Sequence, residues 1–174
     1  MRKKKICWPD NDIYFHYGTL AMDKMLIKND GWKPYFYVRL SNFTLRDFLR
    51  DFSTTQENNI VIISGPTLLP LAYFWLEKSH RVCAVFESSC PINDIIYSLN
   101  TLRAGGQIAP PSVPCTRRLT SRDVSVLKHY IGGGDMKDFQ LIHSRAYSTV
   151  QGWMALLARK FSVRKPAQLL LFRR

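Results

Sequence analysis

The hydrophobic pattern of the chain changes its period along the sequence. In the first hundred residues, short runs rich in β-branched and aromatic side chains alternate with stretches in which apolar residues recur every three or four positions. The first pattern is typical of strands and the second of helices. The first pattern predicts strands at 4–8, 34–40, 59–64 and 81–86. Strands and helices that alternate in this way predict an α/β domain with a parallel sheet covered by helices.

Two helices of this region carry specific predictions about their inward faces. For the helix at 13–28, the spacing predicts that these residues face inward: Tyr17, Leu20, Ala21 and Met25. The helix at 44–52 is amphipathic, because its charged residues Arg46, Asp47, Arg50 and Asp51 lie opposite an apolar stripe made of Leu45, Phe48, Leu49 and Phe52.

A stretch rich in glycine and proline divides the chain. Pro110, Pro111 and Pro114 oppose helix formation, and we interpret residues 103–117 as a linker. The predicted domains are therefore an α/β domain at 1–102 and an all-α domain of about four helices at 118–174.

The second domain has clear helix boundaries. Thr120 and Asp123 form a capping box at the start of its first helix, and Gly132–Gly134 end that helix. Asp135 caps a second helix. A third covers 148–160, and a short fourth at 165–172 is expected to present an exposed or dimerising leucine face. The residues expected to face inward from the third helix are Val150, Trp153, Met154, Leu157 and Phe161.

The charge is concentrated in that domain. Of a formal net charge of +12, residues 109–174 carry +9, from 12 Lys and Arg against 3 Asp and Glu. A segment this basic favours phosphates as partners, with a solvated surface or an anionic membrane as alternatives. No apolar run is long enough to span a membrane. The opening MRKKK is followed by ICWPDND, without an apolar segment, so we expect no secretory signal and a cytoplasmic protein.

Metal, cofactor and catalytic sites are not predicted. The four cysteines (Cys7, Cys83, Cys90 and Cys115) are scattered, and they form neither a disulfide framework nor a zinc-binding pattern. The sequence contains no phosphate-binding loop and no recognisable catalytic grouping, so an enzyme is the least favoured function.

The first domain resembles a degenerate response-regulator receiver domain. Asp10 and Asn11, in WPDNDIYFHYG, correspond to the acidic pair that holds Mg²⁺ in that family. The family's phosphoryl acceptor is an aspartate at the end of the third strand, where this chain has Ser64. The resemblance thus implies a domain that acts without phosphorylation and mediates pairing. The favoured alternative for Asp10 and Asp12 is helix capping.

The second domain resembles the LuxR/FixJ-type (GerE-like) helix-turn-helix domain. The matching pieces are LTSRDVSVL, Gly133, KDF, TV and KFSV, which align without a gap over about 50 residues. This resemblance implies that the third helix enters the DNA major groove, with Gln151 as the base-reading residue. The residues that it assigns to DNA contacts are Lys137, Ser148, Thr149, Gln151, Arg159, Lys160, Arg164 and Lys165.

The chain departs from the family around the turn. Gln140 replaces a small residue, and His143 and Arg145 occupy apolar core positions. Either the second helix is rotated so that Leu141 and Ile142 face inward, or the motif packs loosely. The leading hypothesis is a transcriptional regulator that binds double-stranded DNA as a homodimer or as a heterodimer with a related response regulator. The alternative is an interaction module that titrates a related regulator without reading DNA.

Overall fold

The structure, a computed structural model, describes residues 6–27, 34–102, 106–109 and 113–173. The chain divides into two compact units. The first unit comprises residues 1–40 and 56–112, and the second comprises residues 41–55 and 113–174. Within the described residues, no helix is long and apolar enough to cross a membrane.

The first unit is built on a parallel sheet of four strands, as predicted. The strands are β1 (Cys7–Trp8), β2 (Phe36–Leu40), β3 (Ile60–Ser64) and β4 (Val82–Glu87), and they lie in the order β1-β2-β3-β4. A receiver domain instead has its first strand between the second and the third. The α/β prediction is therefore confirmed, whereas the strand order departs from the receiver resemblance.

Helices cover both faces of this sheet. On one face, α1 (Ile13–Met25) and α4 (Ile92–Thr101) pack over a buried cluster that includes Tyr37, Val61 and Phe86. The neighbouring strand residues point to the other face because side chains alternate along a strand. There, α3 (Leu69–Lys78) contacts β3 and β4. This arrangement explains why the third and fourth strands are almost continuously apolar.

The rotation of α1 differs from the prediction. Thr19 and Met22 are buried, while Tyr17, Ala21 and Met25 are exposed. The helix carries apolar residues on both sides, so their periodicity does not indicate which side packs against the sheet. Packing decides the side, because Met22 and the following Leu26 join the buried cluster over the sheet.

Residues 106–109 of the predicted linker are attached to the sheet, whereas Cys115–Arg117 form a 3-10 turn in the second unit. The backbone N–H of Ile108 donates to the carbonyl of Cys83 at 2.9 Å, and the N–H of Val85 donates to the carbonyl of Ile108 at 3.0 Å. The side-chain amide of Gln107 donates to the carbonyls of Leu76 and Val82. Ile108 thus forms an isolated parallel bridge beside β4.

The second unit contains a helix from the first half of the sequence. The helix α2 (Leu45–Asp51) contacts α5 (Ser121–Ile131) and the 3-10 segment Pro166–Arg173. The predicted stripe is confirmed, because all four of its residues are buried: Leu45, Phe48, Leu49 and Phe52. Residues 41–55, which we assigned to the N-terminal domain, are therefore grouped with the C-terminal helices. Their apolar stripe is what α5 and the 3-10 segment cover.

Three helices follow the linker at the predicted places. They are α5, α6 (Met136–His143) and α7 (Tyr147–Lys160). The predicted capping box is present, since Thr120 and Asp123 exchange hydrogen bonds between side chain and backbone. The side chain of Asp135 caps α6, and Gly133 adopts a φ of 96° after α5, a conformation that favours glycine.

The last predicted element differs in type and in packing. Residues 166–173 form a 3-10 helix, and Leu169 is fully buried within the second unit. The side chain of Gln168 accepts hydrogen bonds from the backbone N–H groups of Arg164 and Lys165, which folds the segment back on itself. The prediction of an exposed leucine face is therefore wrong at Leu169.

A buried carboxylate joins the two ends of the helical unit. The Oδ2 atom of Asp123 accepts from the backbone N–H of Thr120 at 2.7 Å and from the ammonium group of Lys160 at 2.6 Å. Burial is the largest influence on the pKa of Asp123 and acts to raise it. The hydrogen bonds from Lys160 and Thr120 together outweigh that effect, so the pKa lies below its ordinary value of 3.8.

A buried hydroxyl group in the sheet unit generates a stability prediction. The hydroxyl of Tyr37 is buried without a hydrogen-bond partner among the described residues, and burial raises its pKa. Removing an unsatisfied buried group relieves its desolvation cost, so Tyr37→Phe is expected to raise the free energy of unfolding by about 1 kcal/mol. Denaturant titration of the full chain measures this change.

Tyr35 provides the matched control. Its hydroxyl donates to the carbonyl of Leu99 at 3.2 Å, so Tyr35→Phe is expected to lower stability by about 1 kcal/mol. Destabilisation by Tyr37→Phe of the same size would show that the hydroxyl of Tyr37 has a partner.

The ion pair between Asp123 and Lys160 generates a second stability prediction. Lys160→Met leaves a buried carboxylate without its counter-charge and is expected to cost about 3 kcal/mol of unfolding free energy. Adding Asp123→Asn removes the orphaned charge and is expected to recover part of that loss. The comparison is made by denaturant titration at neutral pH. Arg50→Gln, which breaks the exposed pair with Asp51, is the control and is expected to leave stability nearly unchanged.

The pH dependence follows from the lowered pKa of Asp123. The stabilisation by this carboxylate is complete above its ordinary value of 3.8 and is lost as the pH falls through the lower value of the folded state. The Asp123→Asn variant is therefore expected to lose less stability on acidification below pH 4 than the parent. Equal acid sensitivity of the two proteins would contradict the assignment.

Candidate nucleic-acid interface

The exposed side of α7 is the candidate interface. Its opposite side is buried, as predicted, through Val150, Met154 and Leu157, while Trp153 is half-buried. Every residue from 141 to 149 is exposed, which leaves the turn before α7 and its first residues open to solvent. The exposed residues of α7 are Tyr147, Ser148, Thr149, Gln151, Gly152, Ala155, Leu156 and Arg159.

The predicted polar contacts lie together at the start of this helix. Ser148 and Thr149 are exposed in its first turn. The amide nitrogen of Gln151 donates to the hydroxyl of Tyr147 at 2.7 Å. This bond orients the amide and leaves its carbonyl oxygen and second N–H group for another partner. Ala146, the residue before the helix, has no side-chain cap for the first N–H groups.

The predicted basic contacts are more dispersed. Arg159 lies on the outward side of α7, and Lys137 is exposed on α6. Arg164 and Lys165 are exposed beyond the end of α7, where Gln168 holds their backbone N–H groups. Besides Lys160, the structure thus places one predicted cation on the helix with Gln151 and three on neighbouring segments.

Lys160 has a different role from the one that the resemblance implied. Its side chain is only 19% exposed, and its ammonium group is paired with the buried carboxylate of Asp123. A charge that is already neutralised within the unit contributes little to phosphate binding. We therefore assign Lys160 to the stability of the helical unit and leave it out of the candidate interface.

Two further cations, which sequence reasoning did not select, lie next to α7. The guanidinium carbon of Arg122 lies 4.7 Å from the centroid of the Trp153 ring, an arrangement typical of a cation–π contact. Arg145 is exposed in the turn before α7. The sequence signal for Arg145 is its place at a position where the family has an apolar core residue.

The turn before α7 shows how the chain accommodates its departures from the family. The ring of His143 lies 4.2 Å from that of Phe139, which is the buried residue of α6. Leu141 and Ile142 remain 79% and 67% exposed. Rotation of α6 to bury these two residues, one of the alternatives left open by the sequence, is therefore wrong. The turn itself uses Ser144 in the left-handed conformation, with a φ of 48°.

The acidic turn of the first unit serves a structural role. The Oδ1 atom of Asp12 accepts from the backbone N–H of Phe15 at 3.0 Å, and its Oδ2 atom pairs with Arg39. The Phe15 hydrogen bond is the largest influence on the pKa of Asp12. Together with Arg39 it holds the pKa below its ordinary value, against the opposing effect of burial. The capping interpretation of Asp12 is confirmed.

Where the strands of the sheet end, the described residues do not assemble the elements of a phosphorylation site. Ser64 is fully buried, and its hydroxyl donates to the carbonyl of Gly65 at 3.0 Å. The strand β2 separates the end of β1 from the end of β3. Among the described residues, no group of three or more His, Cys, Asp or Glu side chains is arranged to hold a metal ion.

Comparison with solved structures gives a distant similarity. A structure of two RcsB dimers bound to two parallel DNAs is similar over 82% of this chain and 76% of that chain, with a TM-score of 0.44 and 15% sequence identity.

Comparison with curated proteins and family models gives a closer relationship. The Vi polysaccharide biosynthesis protein TviA of Salmonella typhi is 34% identical over 168 residues, which is 94% of this chain and 93% of TviA. The family model of the EcpR N-terminal domain matches residues 1–102, which contain the whole parallel sheet. The chain therefore belongs to the EcpR N-terminal domain family.

Proposed function

We propose that the protein is a transcriptional regulator that binds double-stranded DNA through α7. The observation that carries this proposal is the exposed outward side of α7, with Gln151 and Arg159 on it and further cations on the adjoining segments. The segment of the chain that contains α7 carries most of the positive charge, which suits a polyanionic partner. An α-helix of this kind fits the major groove, where base edges are distinguishable.

The contacts divide into two kinds. Ser148, Thr149 and Gln151 approach bases or phosphates near the helix start, and the amide of Gln151 suits adenine. Lys137, Arg159, Arg164 and Lys165 bind phosphates and set the position of the helix on the duplex. Arg122, beside Trp153, and Arg145, in the turn before α7, extend this set. Lys160 is not part of it, because its charge is paired with Asp123.

The small residues of α7 support a close approach to DNA. Gly152 and Ala155 lie on its outward side. Apart from the helix's own backbone and the chain neighbours of Gly152, no described atom lies within 4 Å of the place where its β-carbon would be. The backbone of α7 can thus come near the groove wall, which compensates for the scarcity of long base-reading side chains.

Regulation in this proposal does not use phosphorylation. The family resemblance places the acceptor at Ser64, which is buried and cannot form an acyl phosphate. Asp12, in the acidic turn, is paired with Arg39. We infer that the sheet unit acts instead by pairing two copies, or one copy with a related response regulator. Pairing places two recognition helices on two half-sites and multiplies a weak affinity.

A second candidate function is an interaction module without DNA binding. Leu141 and Ile142 on α6 and Leu156 on α7 are exposed large apolar side chains. Exposed apolar surface favours a protein partner. This candidate predicts a complex with a related regulator and no affinity for DNA at low salt.

The test of DNA binding is a fluorescence anisotropy titration of the full chain with duplex DNA at several salt concentrations. The parent is expected to bind with an affinity that falls steeply with salt. Arg159→Gln is expected to weaken binding at every salt concentration and to reduce the slope of log K against log salt by about 1. Lys78→Gln, an equal charge change on α3 in the sheet unit, is the control and is expected to leave the slope unchanged. No binding at low salt would reject the regulator and favour the interaction module.

A paired substitution at Gly152 tests whether the outward side of α7 lies against DNA. Gly152→Ala is expected to raise the free energy of unfolding by about 0.5–1 kcal/mol, because alanine restricts the unfolded chain and favours a helix. Gly152→Glu places a negative charge at the same open position and is expected to weaken DNA binding by about tenfold or more. Thermal unfolding and anisotropy titration provide the two measurements. Unchanged affinity of the folded Gly152→Glu variant would show that another surface binds DNA.

A further inference from the structure

The first helix of the sheet unit has a second apolar side that faces solvent. Tyr14 is 91% exposed, Tyr17 is 66% exposed and Met25 is 54% exposed. Gly18 and Ala21 are exposed between them. These five residues form the outer face of α1. Tyr14, Gly18, Ala21 and Met25 recur at intervals of three and four positions, with Tyr17 beside Gly18, which is the spacing of a helix face that packs against a partner.

A helix that is apolar on both sides is normally buried on both sides. One side of α1 is buried in the sheet unit through Thr19, Met22 and the following Leu26. Its other apolar side is not covered by the described part of the unit. Two tyrosines and a methionine in one exposed stripe form an apolar patch of the kind that marks an interaction site.

We propose that the outer face of α1 binds the same face of a second copy of this chain, with the two helices antiparallel. A two-fold axis brings identical surfaces together, so each face must complement itself. The outer face of α1 satisfies this condition. In the antiparallel register, Gly18 lies against Ala21 of the second copy, and Tyr14 lies against its Met25. The small residues at the centre let the helices approach, and the large residues at the ends fill the space on either side.

The charges at the two ends of α1 favour the antiparallel arrangement. Asp10 precedes the helix and Lys24 is exposed near its end, whereas Asp12 is paired with Arg39 and Asp23 is half-buried. Antiparallel helices bring Asp10 of each copy near Lys24 of the other, whereas parallel helices would bring like charges together. A second copy therefore matches this face in both shape and charge.

The size of the face determines how the pairing behaves. A standard interface buries about 800 Å² on each partner, more than a single helix face supplies. Association is therefore concentration-dependent in free solution and is strengthened when two copies share one duplex. This inference rests on the pairing of two copies in the proposed function, and it names the surface that forms the pair.

The test measures association of the full chain without DNA, by sedimentation equilibrium over a range of concentrations. Ala21→Arg places an unpaired charge at the centre of the face and is expected to weaken dimerisation by about tenfold or more. Asn93→Arg adds the same side chain at an exposed position on α4 of the same unit, and is expected to leave dimerisation unchanged. The folding of both variants is checked by thermal unfolding.

Charge reversal tests the antiparallel direction. Asp10→Lys and Lys24→Asp, each alone, are expected to weaken association by about threefold, and the double variant is expected to return to near the parent value. A parent chain that stays monomeric at all concentrations overturns both the inference and the homodimer. A parent that dimerises equally well with Ala21→Arg overturns the inference and leaves the pairing to another surface. Loss of dimerisation in Asn93→Arg as well would show that the association is not specific to this face.

Discussion

The arrangement of the helical unit depends on one buried carboxylate. Asp123 is 3% exposed, so its charge requires partners within the protein. It obtains them from Thr120 at the start of α5 and from Lys160 at the end of α7. The side chain of Asp123 thus caps the start of α5 and also binds the end of α7. Because α7 is held at its last residue and by its buried side, its outward side is presented in a defined direction.

The two halves of the sequence are interleaved in the fold. The chain leaves the sheet after β2, contributes α2 to the helical unit and returns to form β3. The stripe of Leu45, Phe48 and Leu49 therefore completes a core that the last sixty residues do not build by themselves. In the parallel sheet, Arg39 is bound to the acidic turn and Ser64 is buried at the end of β3. The pairing of Arg39 and the burial of Ser64 both indicate that these residues stabilise the fold.

Much of the local structure was predictable from the sequence, because its causes lie within a few residues. The capping box at Thr120 and the cap at Asp135 use side chains that lie three or fewer positions from the backbone groups that they satisfy. The end of α5 follows from Gly133, which adopts a positive φ. The alternation of strands and helices follows from hydrophobic period in the same way. At the candidate interface, the exposure of Gln151 and Arg159 follows from the spacing of the buried residues of α7.

The sequence by itself thus determined the α/β and helical segments, the caps and the basic character of the second half. Only the tertiary structure decided the strand order, the unit that receives α2, the side of α1 that is buried and the pairing of Lys160 with Asp123. These features join groups far apart in the chain, such as a carboxylate and an ammonium group separated by 37 positions. Their energies depend on distance and burial in the folded state, and local spacing contains no information about either.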